Sequence, residues 1–145
     1  MILRHVHAFS GLEFDWLACD SDGFVALFST AGFGPVPEEL PAMVDAVDAV
    51  LDRMRALPLT GDEHGTADPD EWIAAAQRGF FAFDWAHGHD RYEVEALPTR
   101  PVRIDEIQDE AIREMISRVR IPVRFSHLHW VDWDDAGNLS SSAEP

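Results

Sequence analysis

The chain alternates between short β-rich apolar runs and longer stretches of helical periodicity. Phe14–Cys19 and Phe24–Ser29 are apolar at successive positions, which predicts two strands covered on both faces. Between them Asp20-Ser21-Asp22-Gly23 supplies turn residues, with Gly23 free to take a positive φ, so the pair reads as a hairpin. Ala31-Gly32-Phe33-Gly34-Pro35-Val36-Pro37 then breaks regular structure. From Glu38 to about Leu57, Leu40, Met43, Val44, Val47, Leu51 and Met54 recur at helical spacing, opposite an acidic stripe of Asp45, Asp48 and Asp52. Thr60 to Thr66 is a polar loop. Asp68 reads as the N-cap of a short second helix, with Pro69 at its first position and an end near Arg78. Phe80–Trp85 and Arg91–Leu97 predict a second hairpin turned by His87-Gly88-His89-Asp90. In its second strand Tyr92, Val94 and Ala96 alternate with Arg91, Glu93 and Glu95, so one face is wet.

After the linker Pro98–Pro101, Asp105 and Gln108 read as the cap of a third helix whose stripe is Ile107, Ala111, Met115, Ile116 and Val119. Pro122 demotes Ile121–Phe125 to an edge strand, and Leu128, Trp130 and Val131 suggest a last one. The Ser-rich end from Leu139 reads as disordered. The expected fold is α+β: a single domain over 1–138, with an antiparallel sheet of about five or six strands, three helices, and a disordered tail at 139–145.

Charge narrows the partners. The formal net charge is −16 over 145 residues, from 27 acids against 11 arginines and no lysine. Such a field repels nucleic acid and anionic membranes and attracts cationic surfaces within about a Debye length, ~8–10 Å. Without lysine there is no Schiff-base or phosphate-loop lysine chemistry. Genomic bias explains part of the composition but would acidify every segment alike. Instead, residues 38–72 hold ten acids against two arginines, whereas residues 91–124 hold seven of the eleven arginines and an equal number of acids. A single Cys19, no secretory pattern at the N-terminus and no apolar run near the ~18 residues of a membrane span lead us to expect a cytoplasmic protein.

Two constellations carry candidate chemistry. Six of the seven histidines form His-x-His pairs: His5/His7, His87/His89 and His127/His129. On a strand, positions i and i+2 share a face, so His127 and His129 with His5 and His7 could ligate zinc or another divalent metal. Edge strands also hold solvent-facing histidines without any metal, so the pairs alone imply no cofactor. Asp15, Asp84 and Asp132 each precede a tryptophan within an apparent strand. Gathered on one sheet face they would bind the arginines of a partner, or raise a carboxyl pKa for acid–base work. Asp20-Ser21-Asp22-Gly23 and Asp132–Gly137 begin like calcium loops, but the twelfth positions are Ala31 and Ala143, so both read as turns. Cys19, mid-strand in an apolar run, reads as a buried inert thiol.

Residues 14–35, Phe14-Asp15-Trp16 through Gly34-Pro35, resemble the opening of small uncharacterised bacterial proteins, some of them similar to immunity proteins of polymorphic or contact-dependent toxin systems. The resemblance implies a class, small acidic binders that block a basic toxin domain, and carries over no site residue. The expected function is therefore a non-enzymatic acidic protein docking on a basic partner through Asp45, Asp48 and Asp52, with Asp15, Asp84 and Asp132 as further contacts. The alternatives are a metal-dependent, hydrolase-like enzyme using the His-x-His ligands, and an accessory domain of a larger assembly.

Overall fold

Two apolar hairpins lie side by side and generate the sheet. The computed structural model describes residues 5–6, 11, 13–59 and 70–142. The first hairpin pairs β2 (Asp15–Cys19) with β3 (Val25–Ser29) through a turn with Gly23 at φ 87°. The second pairs β5 (Phe81–Ala86) with β6 (Arg91–Ala96), and β7 (Trp130–Trp133) and β8 (Leu139–Ser141) extend it. The strand order is β2-β3-β5-β6-β7-β8, and a separate two-stranded sheet joins β1 (His5–Val6) to β4 (Val36–Pro37). The chain is thus an α+β fold, with a six-stranded sheet and three α-helices among the described residues.

One pairing departs from the expected antiparallel pattern: β3 and β5 run parallel. Parallel neighbours need a long crossover. Here it is the segment that holds α1 (Val44–Arg55) and α2 (Glu71–Gln77). These helices and α3 (Glu110–Ser117) pack on the face of the sheet that carries Leu17, Leu27 and Ala82 in register. The opposite face is aromatic. Trp16, Phe28 and Phe83 are register partners on three adjacent strands and stack at 4.3 and 4.8 Å, with Tyr92, Trp133 and Phe125 edge-on or tilted around them. Each of these side chains is at least 95% buried, which stabilises the fold by roughly 2–3 kcal/mol apiece.

Polar groups fix the seams of this core. Asp20, 1% exposed, accepts backbone N–H bonds from Asp22 and Phe24 at Oδ1 and from Phe125 at Oδ2, all 2.9 Å. That carboxylate therefore ties the first turn to a segment 105 residues on. The free edge of β2 is covered where Cys19 exchanges backbone bonds with Val119 and Ile121. Tyr92 Oη donates to the Pro35 carbonyl (2.9 Å) and accepts from Trp16 Nε1 (3.2 Å).

Several expected boundaries move. The first helix opens as a 3₁₀ turn over Leu40–Met43 before α1. Asp68 lies outside the described residues, and Asp70 caps α2 by accepting from Ile73 N at 2.8 Å. Asp105 sits in a separate 3₁₀ turn (Ile104–Glu106), whereas α3 is capped by Asp109. That shift in phase buries Ile112 and leaves Ala111 exposed. Ile121–Phe125 is not a strand: only Arg120 bridges β2, and Phe125–His127 is a 3₁₀ turn. Residues 139–142, expected to be disordered, are paired instead, and 143–145 lie outside the described residues. Leu139–Ser141 pairs with β7, and Ser142 Oγ accepts from His129 N and Trp130 N. No helix among the described residues is long and apolar enough to cross a membrane.

Candidate functional site

At the start of β2 the chain turns under the C-terminal half of α1 and the first turn of α2, leaving a cleft of about 440 Å³. Its walls are Glu13, Phe14 and Asp15 from the strand, Asp48, Leu51, Asp52 and Arg55 from α1, and Glu71 from α2. Helical spacing dictates the α1 contribution. Val47, Leu51 and Met54 turn into the core, which leaves Asp48, Asp52 and Arg55 along the rim. Among the described residues, one arginine and five carboxylates thus line the cleft.

Arg55 spans them. Its Nη2 lies 2.8 Å from Glu71 Oε1 and 3.5 Å from Asp15 Oδ2, and its Nη1 lies 3.4 Å from Asp52 Oδ1. Burial pushes the Asp15 carboxyl up to about 7, helped by a hydrogen bond and charge repulsion from Glu71, while Ser29 and Arg55 pull the other way. Burial also disfavours charge on Glu71, but hydrogen bonds from Arg55 and Asp15 outweigh it and hold Glu71 below its ordinary value. Asp15 and Glu71 therefore titrate as a pair, with Asp15 holding the proton up to about pH 7.

A second cleft of about 450 Å³ adjoins the first across Arg55 and Glu71, walled by Met54, Ala74, Ala75 and Arg78. Arg78 locks the two helices together. Its guanidinium donates to the Arg55, Leu57 and Ala74 carbonyls at 2.6, 2.9 and 3.2 Å, satisfying carbonyls at the end of α1. Arg53 likewise holds α1 to α3 through Asp109 (2.8 Å). The cleft walls are braced from both sides.

The structure brings together some of the expected residues and separates others. Asp15 and Asp84 are both register partners of Ser29, so they flank it on the helix-covered face of the sheet. Burial, with the charges of Glu95 and Glu13, raises Asp84 to about 6, which continues the acidic field beyond the cleft. Asp132 does not join them. It lies two strands further on and lines a different cleft with Trp133. The aromatic neighbours Trp16 and Trp85 alternate to the opposite sheet face. Asp45 is exposed on α1 outside the cleft.

The metal constellation does not assemble among the described residues, where no three His, Cys, Asp or Glu side chains are placed to hold an ion. The shared-face premise fails for His127 and His129, because His127 closes a 3₁₀ turn and no strand carries the pair. His5 is buried, stacked at 3.7 Å on Trp133, and His7 lies outside the described residues. Glu71 and Arg55 escaped the sequence reading as site residues. A first-turn Glu and a last-turn Arg are what the helix dipole prefers, so nothing in their pattern marks them as partners of Asp15.

Compared with known proteins, the chain matches no family model, no curated protein and no solved structure.

Proposed function

We propose that this chain is an acidic binding protein that docks a basic protein partner along α1 and the adjoining cleft, in an immunity-like role with a toxin domain as the partner class. The observation that carries the reading is the continuity of the expected stripe with the cleft. Asp48 and Asp52 belong to both, and Asp15, Glu71 and Glu13 extend them inward. Such a field speeds encounter with a cationic surface, while affinity comes from a few anchored contacts. Arg55 already seats a guanidinium among these carboxylates, which supports a cationic surface as the partner. A second reading, proton transfer by the Asp15–Glu71 pair, rests on Asp15 titrating near neutrality in an open cleft.

The immobilised chain, screened against extract of its own cell, should retain a protein of basic net charge. Association should slow with added salt and slow further in D45K/D48K/D52K. Recovery of no cationic protein, or association indifferent to both changes, would overturn the proposal.

A further inference from the structure

A third cleft, of about 550 Å³, opens at the far side of the sheet between the β3–β4 connection, the end of β5 and the β7–β8 turn. We infer that it takes a single guanidinium or alkylammonium group, held between aromatic walls and carboxylates. The inference does not rest on the α1 cleft, and its residues are different ones.

The walls explain the choice of ligand. Trp85 and Trp133 form the apolar floor, each about 95% buried, and Phe33 stands over it with half its surface exposed. Phe33 is held there by its backbone. Ala31 and Gly32 adopt left-handed φ values of 51° and 89°, and the Phe33 and Gly34 amides both donate to the Thr30 carbonyl (3.0 and 2.9 Å). The next residues are pinned as well. A Cβ on Gly34 would lie 2.7 Å from Tyr92 Cζ, so only glycine lets the loop approach, and Tyr92 Oη fastens Pro35. The His87 ring meets Phe33 edge-on at 5.0 Å. An aromatic ring fixed at the mouth of a cleft, and not folded into the core, is poised to face a ligand.

Charge sets the ligand's sign. Asp90, Asp132, Asp134 and Asp135 line the same cleft, and among the described residues no arginine does. This is the reverse of the α1 cleft, where Arg55 is already seated. Asp134 is committed to its own turn, accepting from the Ala136 and Asn138 amides at 2.9 and 2.8 Å. Asp132 is half-buried on the wall, and Asp90 and Asp135 are exposed at the rim. The exposed Phe33 ring beside carboxylates favours a weakly hydrated cation, which gains from the ring quadrupole and the anionic rim together, while Trp85 and Trp133, the latter stacked on His5, supply the apolar floor.

The cation has two sources of identical chemistry, a free small molecule or a side chain of a basic polypeptide. The test is an NMR titration of the full chain, following the Trp85 and Trp133 indole resonances and the Asp132–Asp135 amides. N-acetyl-arginine amide should shift them saturably, and its neutral citrulline analogue should not. Phe33→Ala and Asp135→Asn, both at exposed positions, should each weaken binding about fivefold or more, while D45K/D48K/D52K leaves it unchanged. A short arginine-containing peptide binding about tenfold tighter than the single amide assigns the cleft to a polypeptide, and equal binding assigns it to a free cation. Absence of saturable shifts, equal shifts with the citrulline analogue, or indifference to Phe33→Ala would overturn the inference.

Discussion

Replacing Asp15 by asparagine should stabilise the protein in alkaline solution and leave it nearly unchanged in acid. In the folded chain the Asp15 carboxyl keeps its proton up to about pH 7, against an ordinary value of 3.8. Between those values the folded state binds the extra proton, so stability falls as the pH rises through that window. Above it the loss is complete: about three pH units at 1.36 kcal/mol each set an upper bound of roughly 4 kcal/mol. Glu71 is shifted the opposite way and offsets part of this, so a net effect of roughly 2–4 kcal/mol is expected. Asparagine keeps the size of the side chain and a donor toward Glu71 without the charge. Urea denaturation followed by tryptophan fluorescence at pH 4 and pH 8.5 measures the difference directly. Asp15→Asn should differ from the parent by under about 1 kcal/mol at pH 4 and exceed it by about 2–4 kcal/mol at pH 8.5. A difference that does not vary with pH, or a variant less stable at pH 8.5, would refute the paired-titration account of the cleft.

Two further substitutions test the framework that positions the clefts. Gly34→Ala drives a methyl group against the buried Tyr92 ring and should cost about 1–3 kcal/mol in thermal or chemical denaturation; a neutral result would show that the loop is not pinned. Asp20→Asn turns one of two accepting oxygens into a donor facing backbone N–H groups. It should cost about 2–3 kcal/mol, and an unchanged denaturation midpoint would exclude Asp20 as the tie between the first turn and Phe125.

How much of this was legible in the sequence depended on whether a signal was local. The hairpins were legible because Asp20-Ser21-Asp22-Gly23 and His87-Gly88-His89-Asp90 place turn residues between β-rich runs, and both turns form there. The α1 stripe was legible because its buried and exposed positions follow one period, and Asp45, Asp48 and Asp52 are all exposed. The parallel joining of β3 to β5 was not, because no local pattern says which strands of two hairpins will meet. The strand β8 was hidden as well. It is held by backbone pairing and by Ser142, neither of which leaves an apolar alternation. The α3 cap was misplaced because Asp105 and Asp109 are equally good caps by type, and only the fold selects between them. For the candidate site, Asp15 was visible as one of three aspartates beside tryptophans. Its pairing with Glu71 joins residues 56 apart and follows from the crossover that the sequence left open.

The central claim is that a located acidic face, and not net charge alone, recruits the basic partner. It is tested most directly by comparing two charge reversals of equal size, D45K/D48K/D52K on α1 and D105K/E110K/E114K around α3, each checked for folding by circular dichroism. Association rates with the recovered partner are then measured over a range of salt concentrations. The account predicts that the α1 reversal slows association about tenfold more than the α3 reversal and flattens its salt dependence. Equal slowing by the two variants would contradict it.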